Sequence, residues 1–197
     1  MKKRFDNVYQ FKITLQDIQP PIWRRIQVPE TYTFYDLHVA IQDAMGWLDY
    51  HLYQFTALNP SHGFQEKIGI PDEELDIGVK PGWKTSITNY FTMTNKTAYY
   101  VYDFGDNWEH IVELEKILPR ETNVIYPICI QGKRACPPED CGGAWGYEDF
   151  LEIIMDPTHE QYEEMIEWVG GEFEPEAFNP EHVVFTDPDE RRRSYDN

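Results

Sequence analysis

The stretch TAYYVYDFGDNWEHIVELEKIL, residues 97–118, decides the fold because it is the clearest β-hairpin pattern in the chain. Residues 97–104 and 108–118 are rich in aromatic and β-branched side chains, and the Gly-Asp-Asn between them favours a tight turn. In the second strand, Trp108 and His110 alternate with glutamates, so one face is apolar and the other is charged. The stretch therefore predicts an antiparallel hairpin with one face in the core.

The N-terminal part of the chain predicts two strands followed by a helix. Residues 8–16 alternate between apolar and polar side chains, as in a half-buried strand, and IWRRIQV (residues 22–28) indicates an antiparallel neighbour. Thr33 and Asp36 have the spacing of a capping box, and apolar residues then recur at helical spacing up to Gly46. A glycine at that point suits the left-handed conformation in which many helices end.

The rest of the chain adds strands and helices in a similar way. The pattern predicts strands at residues 51–58 and 65–70, a short helix at 85–91, and helices at 147–155 and 158–169. Strands joined by short turns, with helices between and after them, favour an α+β fold. We predict a single domain in which three or four helices pack on a largely antiparallel sheet of five to seven strands.

The boundaries of this domain follow from the two ends of the chain. Residues 1–7 are charged and precede the first strand, so we predict an N-terminal tail. Residues 186–197, TDPDERRRSYDN, carry no apolar stripe and are predicted to be a flexible C-terminal tail. The α+β domain is therefore expected to comprise residues 8–185.

The composition argues against several classes of function. The chain has 35 acidic and 17 basic residues and a formal net charge of −18, which disfavours direct nucleic-acid binding because that binding depends on cationic side chains. No apolar run approaches the roughly 18 residues that a membrane span needs, and three cysteines do not form the framework of a secreted protein. We expect a cytoplasmic protein without membrane association. Its acidic surface is either a solvated face or a binding surface for a basic protein.

The turn of the hairpin contains Asp-Phe-Gly, but its chemistry is that of a turn. A kinase would also need a glycine-rich phosphate loop, a strand lysine and a His-Arg-Asp loop, which the sequence lacks. Gly105 and Asn107 suit positive φ angles, and Asp103 and Asp106 suit the acceptance of backbone N–H groups. On the following strand, His110 is predicted to be buried, either as a hydrogen-bonded core residue or as a ligand or acid–base group.

A second motif is RACPPEDCG, residues 134–142, which we call the Cys-Pro loop. Cys136 and Cys141 have a spacing found among zinc ligand pairs, and a complete metal site would need His110, His51 or another donor in addition. A disulfide is a second interpretation, disfavoured in a reducing compartment. The third is a rigid loop whose thiols pack as small apolar groups while its carboxylates bind backbone donors. A nucleophilic thiol is disfavoured by the acidic neighbours.

Together, these motifs resemble a known family. IWRRIQV, YVYDFGDNWEHIVELEKI, RACPPEDCGGAWGYEDFLEII and the helix with the segment after it, TFYDLHVAIQDAMGWLDYHLYQF, are similar to the plasmid ORF-three-like family, whose members are also labelled insertion-element passengers or resolvase-like. The resemblance covers residues 9–184 and implies a single α+β domain. It implies no catalytic or binding role for any residue.

Three functions remain open at this point. We favour a non-enzymatic binding or protein-interaction module with a cleft between the hairpin and the Cys-Pro loop, acting on a cationic partner such as a basic protein. The candidate cleft residues are His51, Tyr102, Asp103, Asp106, Trp108, His110, Glu139 and Asp140. This module is expected to need no cofactor. One alternative is a metal-dependent hydrolase, in which a divalent ion such as zinc activates water. The candidate ligands are Cys136, Cys141, His110 and His51, with Asp103 and Asp106 as further donors. The other alternative is an accessory factor in mobile-element DNA transactions.

Overall fold

The predicted hairpin lies near the centre of the sheet. The computed structural model describes residues 4–71 and 78–195, and in it the hairpin consists of β6 (Thr97–Tyr102) and β7 (Trp108–Pro119). The two strands pair antiparallel, with Tyr100 opposite His110. The apolar face of β7 is buried, as its alternating pattern predicts.

Six further strands complete one sheet, in the order β5-β4-β3-β6-β7-β1-β2-β8. They are β1 (Asn7–Leu15), β2 (Trp23–Pro29), β3 (Tyr53–Asn59), β4 (Phe64–Gly69), β5 (Lys80–Pro81) and β8 (Ile128–Lys133). All neighbours are antiparallel except β4 and β5, which confirms the predicted class of a largely antiparallel α+β sheet. The described residues form eight strands, more than the five to seven predicted, because β5 has only two residues and β8 carries no clear alternation.

Four helices are present among the described residues. They are α1 (Phe34–Met45), α2 (Gly143–Met155), α3 (Tyr162–Trp168) and α4 (Pro188–Tyr195). The predicted capping box of α1 is present, since Thr33 Oγ1 accepts from the Asp36 N–H and the Asp36 carboxylate accepts from the Thr33 N–H. Gly46 ends the helix at φ 105°.

Three predicted helices differ from the observed ones, and the one predicted at 147–155 begins earlier, at Gly143. The short helix predicted at 85–91 is replaced by one 3-10 turn, Ile87–Asn89. Thr85 and Ser86 are extended, because the Thr85 carbonyl accepts from the Phe34 N–H and the Ile87 N–H donates to the Tyr32 carbonyl. The helix predicted from residue 158 begins later, as Thr158 donates from its backbone and hydroxyl to the Asp156 carboxylate in a turn that precedes α3.

The segment predicted as a flexible C-terminal tail contains α4. Arg191 binds the Asp43 carboxylate of α1 at 2.6 Å, and Thr186 donates to the same carboxylate from its backbone at 2.8 Å. An ion pair with α1 therefore holds a helix that has no apolar stripe of its own. At the other end, β1 already begins at Asn7, within the predicted N-terminal tail.

The core lies between the sheet and α1, and aromatic rings dominate it. Phe34 of α1 packs edge-on against Phe55 of β3 at 5.1 Å and against Tyr90 at 5.2 Å. Phe11 of β1 meets Phe91 at 4.8 Å. These edge-to-face pairs add to the burial of large apolar surface and fix α1 across the sheet.

Across residues 4–71 and 78–195, every helix is too short or too polar to cross a membrane.

Candidate functional site

Three segments that are distant in sequence meet at one end of the hairpin. They are the 47–52 loop between α1 and β3, the 103–107 turn of the hairpin, and the Cys-Pro loop. The Leu48 N–H donates to Glu139 Oε1 at 2.7 Å, which joins the first segment to the third. The Asp103 N–H donates to the Leu52 carbonyl at 2.9 Å, which joins the first to the second. We call the polar cluster at this junction, formed by His51, Asp103, Asp106, Glu139 and Asp140, the acidic corner.

The hairpin turn supplies two of the carboxylates. Asp103 Oδ1 accepts from the Gly105 N–H at 2.8 Å, as its turn position predicts. Asp106 Oδ2 accepts from the Gly142 N–H at 3.1 Å, so this carboxylate ties the turn to the Cys-Pro loop. Positive φ angles occur at Asp103 (57°) and Asn107 (55°), whereas the prediction for Gly105 is wrong. Asp103 already adopts the left-handed conformation two residues earlier, and Gly105 keeps an ordinary backbone conformation.

The glycines after the second cysteine allow this close approach. A Cβ on Gly143 would lie 2.5 Å from the Asp106 carbonyl oxygen, and the residue has φ +70°. A Cβ on Gly146 would lie 1.9 Å from the Cys141 carbonyl oxygen. The glycines of the motif therefore let α2 begin directly against the hairpin turn.

Glu139 is the most tightly held carboxylate of the corner. Besides the bond from Leu48, it accepts from the Tyr102 hydroxyl at 3.1 Å. That hydroxyl in turn accepts from the Tyr50 N–H at 3.0 Å. Burial raises the pKa of Glu139 above its usual range, and burial together with the Glu139 charge raises the pKa of Tyr102. The Glu139 and Tyr102 side chains thus hold the 47–52 loop against the hairpin and the Cys-Pro loop.

His51 faces the carboxylates without a good hydrogen bond. Its Nε2 lies 3.1 Å from Asp140 Oδ1, 3.7 Å from Asp103 Oδ2 and 4.0 Å from Glu139 Oε2. The imidazole is half-buried, and Asp140 is exposed. Ligand atoms of His51, Asp103 and Asp140 all lie within 4.8 Å of one another, which is a spacing suited to a divalent cation.

Two of the predicted cleft residues lie behind this corner, in the core. Trp108 and His110 are both almost fully buried, because they are on the inner face of β7. Burial lowers the pKa of the His110 imidazole to about 3, against a smaller opposing effect of the Tyr100 and Trp108 backbone. His110 is thus a neutral core residue, and it is not part of the group of ligand atoms around His51.

The cysteines also stay outside the corner. All three are free, and burial raises the pKa of the Cys141 thiol to about 12 and that of Cys136 well above its usual range. The structure therefore does not bring together the predicted ligand set of Cys136, Cys141, His110 and His51 among the described residues. The thiols pack against the core, and the Trp47 indole N–H donates to the Pro137 carbonyl at 3.0 Å, which anchors a rigid loop.

Sequence reasoning missed a second polar cluster, which is buried. His38 Nδ1 lies 2.8 Å from the Tyr100 hydroxyl, and its Nε2 lies 2.8 Å from Asp49 Oδ1. The imidazole stacks on Tyr53 at 3.6 Å. His38 lies on the core-facing side of α1, which the helical period could have shown. The inward direction of Asp49, at φ 63°, has no signal in the sequence.

Two grooves lie near these clusters. One of about 480 Å³ adjoins the 47–52 loop and is lined by Asp43, Gly46, Trp47, Leu48, Tyr50, Val184 and Arg191. The other, of about 830 Å³, lies between the start of α1 and the C-terminal segment, with Tyr32, Trp83 and Phe185 among its walls. The described residues that line these two grooves include none from the hairpin turn or the Cys-Pro loop, and the smaller groove is lined by Leu48 and Tyr50 of the loop that also carries His51.

Comparisons with known proteins match this architecture. The sequence profile of a family described as "Plasmid pRiA4b ORF-3-like protein" matches residues 7–182. "Uncharacterized protein y4hQ" of Sinorhizobium fredii (strain NBRC 101917 / NGR234) is 38% identical over 166 residues, which are 84% of this chain and 82% of that protein. The crystal structure of "Protein of Unknown Function MM3350" from Methanosarcina mazei Go1 is 52% identical, with a TM-score of 0.87 over 92% of this chain and 100% of that chain.

Proposed function

The chain belongs to the plasmid pRiA4b ORF-3-like protein family, and we propose that it is a non-enzymatic binding module whose acidic corner holds a cationic group of a partner protein. The observation that carries the proposal is the position of three carboxylates, from two separate segments, within 4.0 Å of one half-buried imidazole. Hydrogen bonds among the three segments hold these groups in place before a partner arrives.

The charge balance of the corner favours a cationic ligand. Within residues 4–71 and 78–195, no lysine or arginine forms an ion pair with its carboxylates, and three of them lie within 4.0 Å of His51. Burial raises the pKa of Glu139, yet with that carboxyl neutral Asp103 and Asp140 still outnumber a single imidazolium. A lysine or arginine side chain would complete the set, whereas a phosphate would be repelled.

The binding test uses a fluorescently labelled octalysine peptide and fluorescence anisotropy at low and physiological salt. We expect the Asp106→Asn/Asp140→Asn variant to bind about tenfold more weakly than the unmodified protein, because the corner loses the charges of two of its carboxylates, Asp140 beside His51 and Asp106. Glu163→Gln/Glu164→Gln is the matched control, since it removes two charges from the exposed outer face of α3. Equal losses in the two variants would mean that the whole acidic surface binds the peptide, and the proposal would fail.

A metal-dependent hydrolase is the second candidate, and the spacing of the His51, Asp103 and Asp140 ligand atoms favours it. One imidazole and two carboxylates suit zinc or manganese and would leave coordination positions for a water molecule. A metal bound there would supply an activated water for hydrolysis. Cysteine thiolates have no part in this version of the site.

Calorimetric titration of the protein with zinc and manganese chloride tests the second candidate. A metal site predicts saturable binding of one ion per chain that His51→Ala abolishes and Cys141→Ala retains, since the Cys141 thiol is not among the ligand atoms. Absence of saturable binding by either metal would eliminate the hydrolase. Retained binding in His51→Ala would place the metal elsewhere.

A further inference from the structure

An unusual arrangement of apolar side chains surrounds the acidic corner. Along the 47–52 loop, Leu48, Tyr50 and Leu52 are 59%, 70% and 53% exposed, whereas the Asp49 side chain points inward to His38. Every second residue from 48 to 52 on this loop is thus a large apolar residue with an exposed side chain. Single exposed apolar residues are ordinary, but a contiguous group of them marks an interaction surface.

The exposure of these side chains is fixed by the backbone. The loop is tied down at Leu48 by Glu139, at Tyr50 by the Tyr102 hydroxyl, and at Leu52 by the Asp103 N–H. Each bond joins the loop to Glu139 or Asp103 of the corner, or to Tyr102, whose hydroxyl donates to Glu139. The backbone that carries these apolar side chains is consequently held against the corner, and Leu48 and Tyr50 line the smaller groove.

Two aromatic side chains extend this surface from the other segments of the corner. Phe104, in the hairpin turn beside Asp103, is 54% exposed, and Trp145, in the first turn of α2, is 83% exposed. The bond from the Gly142 N–H to Asp106 holds these two segments against each other. Exposed aromatic rings beside carboxylates offer both apolar contact and cation–π faces.

The combination of charge and apolar surface selects the class of partner. We propose that the acidic corner and the five exposed side chains around it form one docking surface for a basic amphipathic segment of another protein, in which lysines or arginines alternate with apolar residues. The docking surface consists of the corner together with Leu48, Tyr50, Leu52, Phe104 and Trp145. This inference rests on the proposed binding function and names the chemistry of its partner.

Charge complementarity favours a basic amphipathic segment over two other partners that an exposed apolar surface can bind, a second copy of the chain and a membrane. A second copy docking through the same face would bring two acidic corners together in a chain of net charge −18. An anionic membrane surface would repel the same carboxylates. A segment with cations at its centre and apolar side chains at its flanks complements both features at once.

Two labelled peptides of equal length and equal positive charge test the inference, one alternating lysine and leucine and the other alternating lysine and serine. We expect the lysine–leucine peptide to bind about tenfold more tightly, a ratio that needs only two or three well-buried apolar contacts. Leu48→Ser/Leu52→Ser should remove this advantage and leave the affinity for the lysine–serine peptide within about twofold. Ile125→Ser/Met93→Ser is the control, because both residues are exposed and lie outside the docking surface.

The outcomes of this experiment are distinguishable. Equal affinity of the two peptides for the unmodified protein, with both still sensitive to Asp106→Asn/Asp140→Asn, would overturn the amphipathic partner and keep the binding function. If neither peptide binds, the amphipathic partner and the proposed binding function are both overturned. A concentration-dependent dimer in analytical ultracentrifugation that Leu48→Ser/Leu52→Ser dissociates would replace the partner with a second copy.

Discussion

Two histidines in this protein each lie beside an aspartate and a tyrosine, yet their surroundings are opposite. His38 is almost fully buried, and both of its nitrogens have partners at 2.8 Å. His51 is half-buried, and its carboxylate neighbours lie at 3.1 to 4.0 Å. One loop serves both clusters, because it carries Asp49 inward and His51 outward. The first cluster is complete and stabilises the fold, whereas the second is open, because Nε2 of its imidazole has no hydrogen-bond partner among the described residues.

The largest expected effect tests whether the open cluster depends on a rigid frame. Gly143→Ala places a Cβ against the Asp106 carbonyl oxygen at a positive φ, so we expect a loss of about 3 kcal/mol in the free energy of unfolding. Gly142→Ala also has a positive φ but makes ordinary contact, and about 1 kcal/mol is expected. Urea denaturation measures both. Equal losses would show that the turn and α2 are not closely packed.

The next prediction compares the two clusters directly. Asp49→Asn and Asp140→Asn are the same change at similar backbone angles, with φ of 63° and 57°. Loss of the buried charge next to His38 and Arg191 should cost about 2 kcal/mol, whereas loss of the exposed charge should change stability by less than about 0.5 kcal/mol. Similar values for the two variants would remove the distinction between a complete and an open cluster.

Stability should fall in mild acid because of the buried histidines. Burial lowers the pKa of His38 and of His110, the latter to about 3, from an ordinary value near 6.5. Below pH 6.5 the unfolded chain binds protons that the folded protein does not, so each residue removes about 1.4 kcal/mol per pH unit until its folded pKa is reached. His110→Leu should reduce the slope between pH 6 and 4 by that amount. Val112→Ala, a buried neutral change on the same strand, should lower stability and keep the slope.

The smallest effect tests how far the complete cluster extends. Arg191 of α4 binds Asp43 at 2.6 Å and lies 3.6 Å from Asp49. Arg191→Ala should cost about 1 kcal/mol and make the C-terminal segment more sensitive to limited proteolysis, while Arg192→Ala, an exposed neighbour, should do neither. Unchanged proteolysis of both variants would show that α4 does not depend on this ion pair.

Local signals in the sequence predicted the framework, and tertiary contacts decided the rest. The hairpin, the Thr33 capping box and Gly46 were predictable because each depends on residues close in sequence. Helix α4 was not predictable, because a polar helix held by an ion pair with α1 has no periodic pattern of apolar residues. The strand β8 was not predictable, because its residues do not alternate between apolar and polar side chains.

For the candidate site, the sequence identified residues but not their directions. Asp103, Glu139 and Asp140 meet around His51, as the binding hypothesis requires, because hydrogen bonds and close packing join segments that are distant in sequence. His110 was proposed for the same cleft, yet the alternation of its strand had already placed it on the core face. Strand period was therefore the better guide for that residue than its chemistry.

The central pairing of the sheet has a consequence for synthesis of the protein. β1 lies between β2 and β7, and Gln10 of β1 binds Glu115 of β7 across 105 positions in the sequence. A nascent chain leaving the ribosome must therefore keep one side of β1 unpaired until β7 has emerged. Such long-range pairing gives slow folding, because the entropy of closing the intervening chain is lost before the strands gain their contacts.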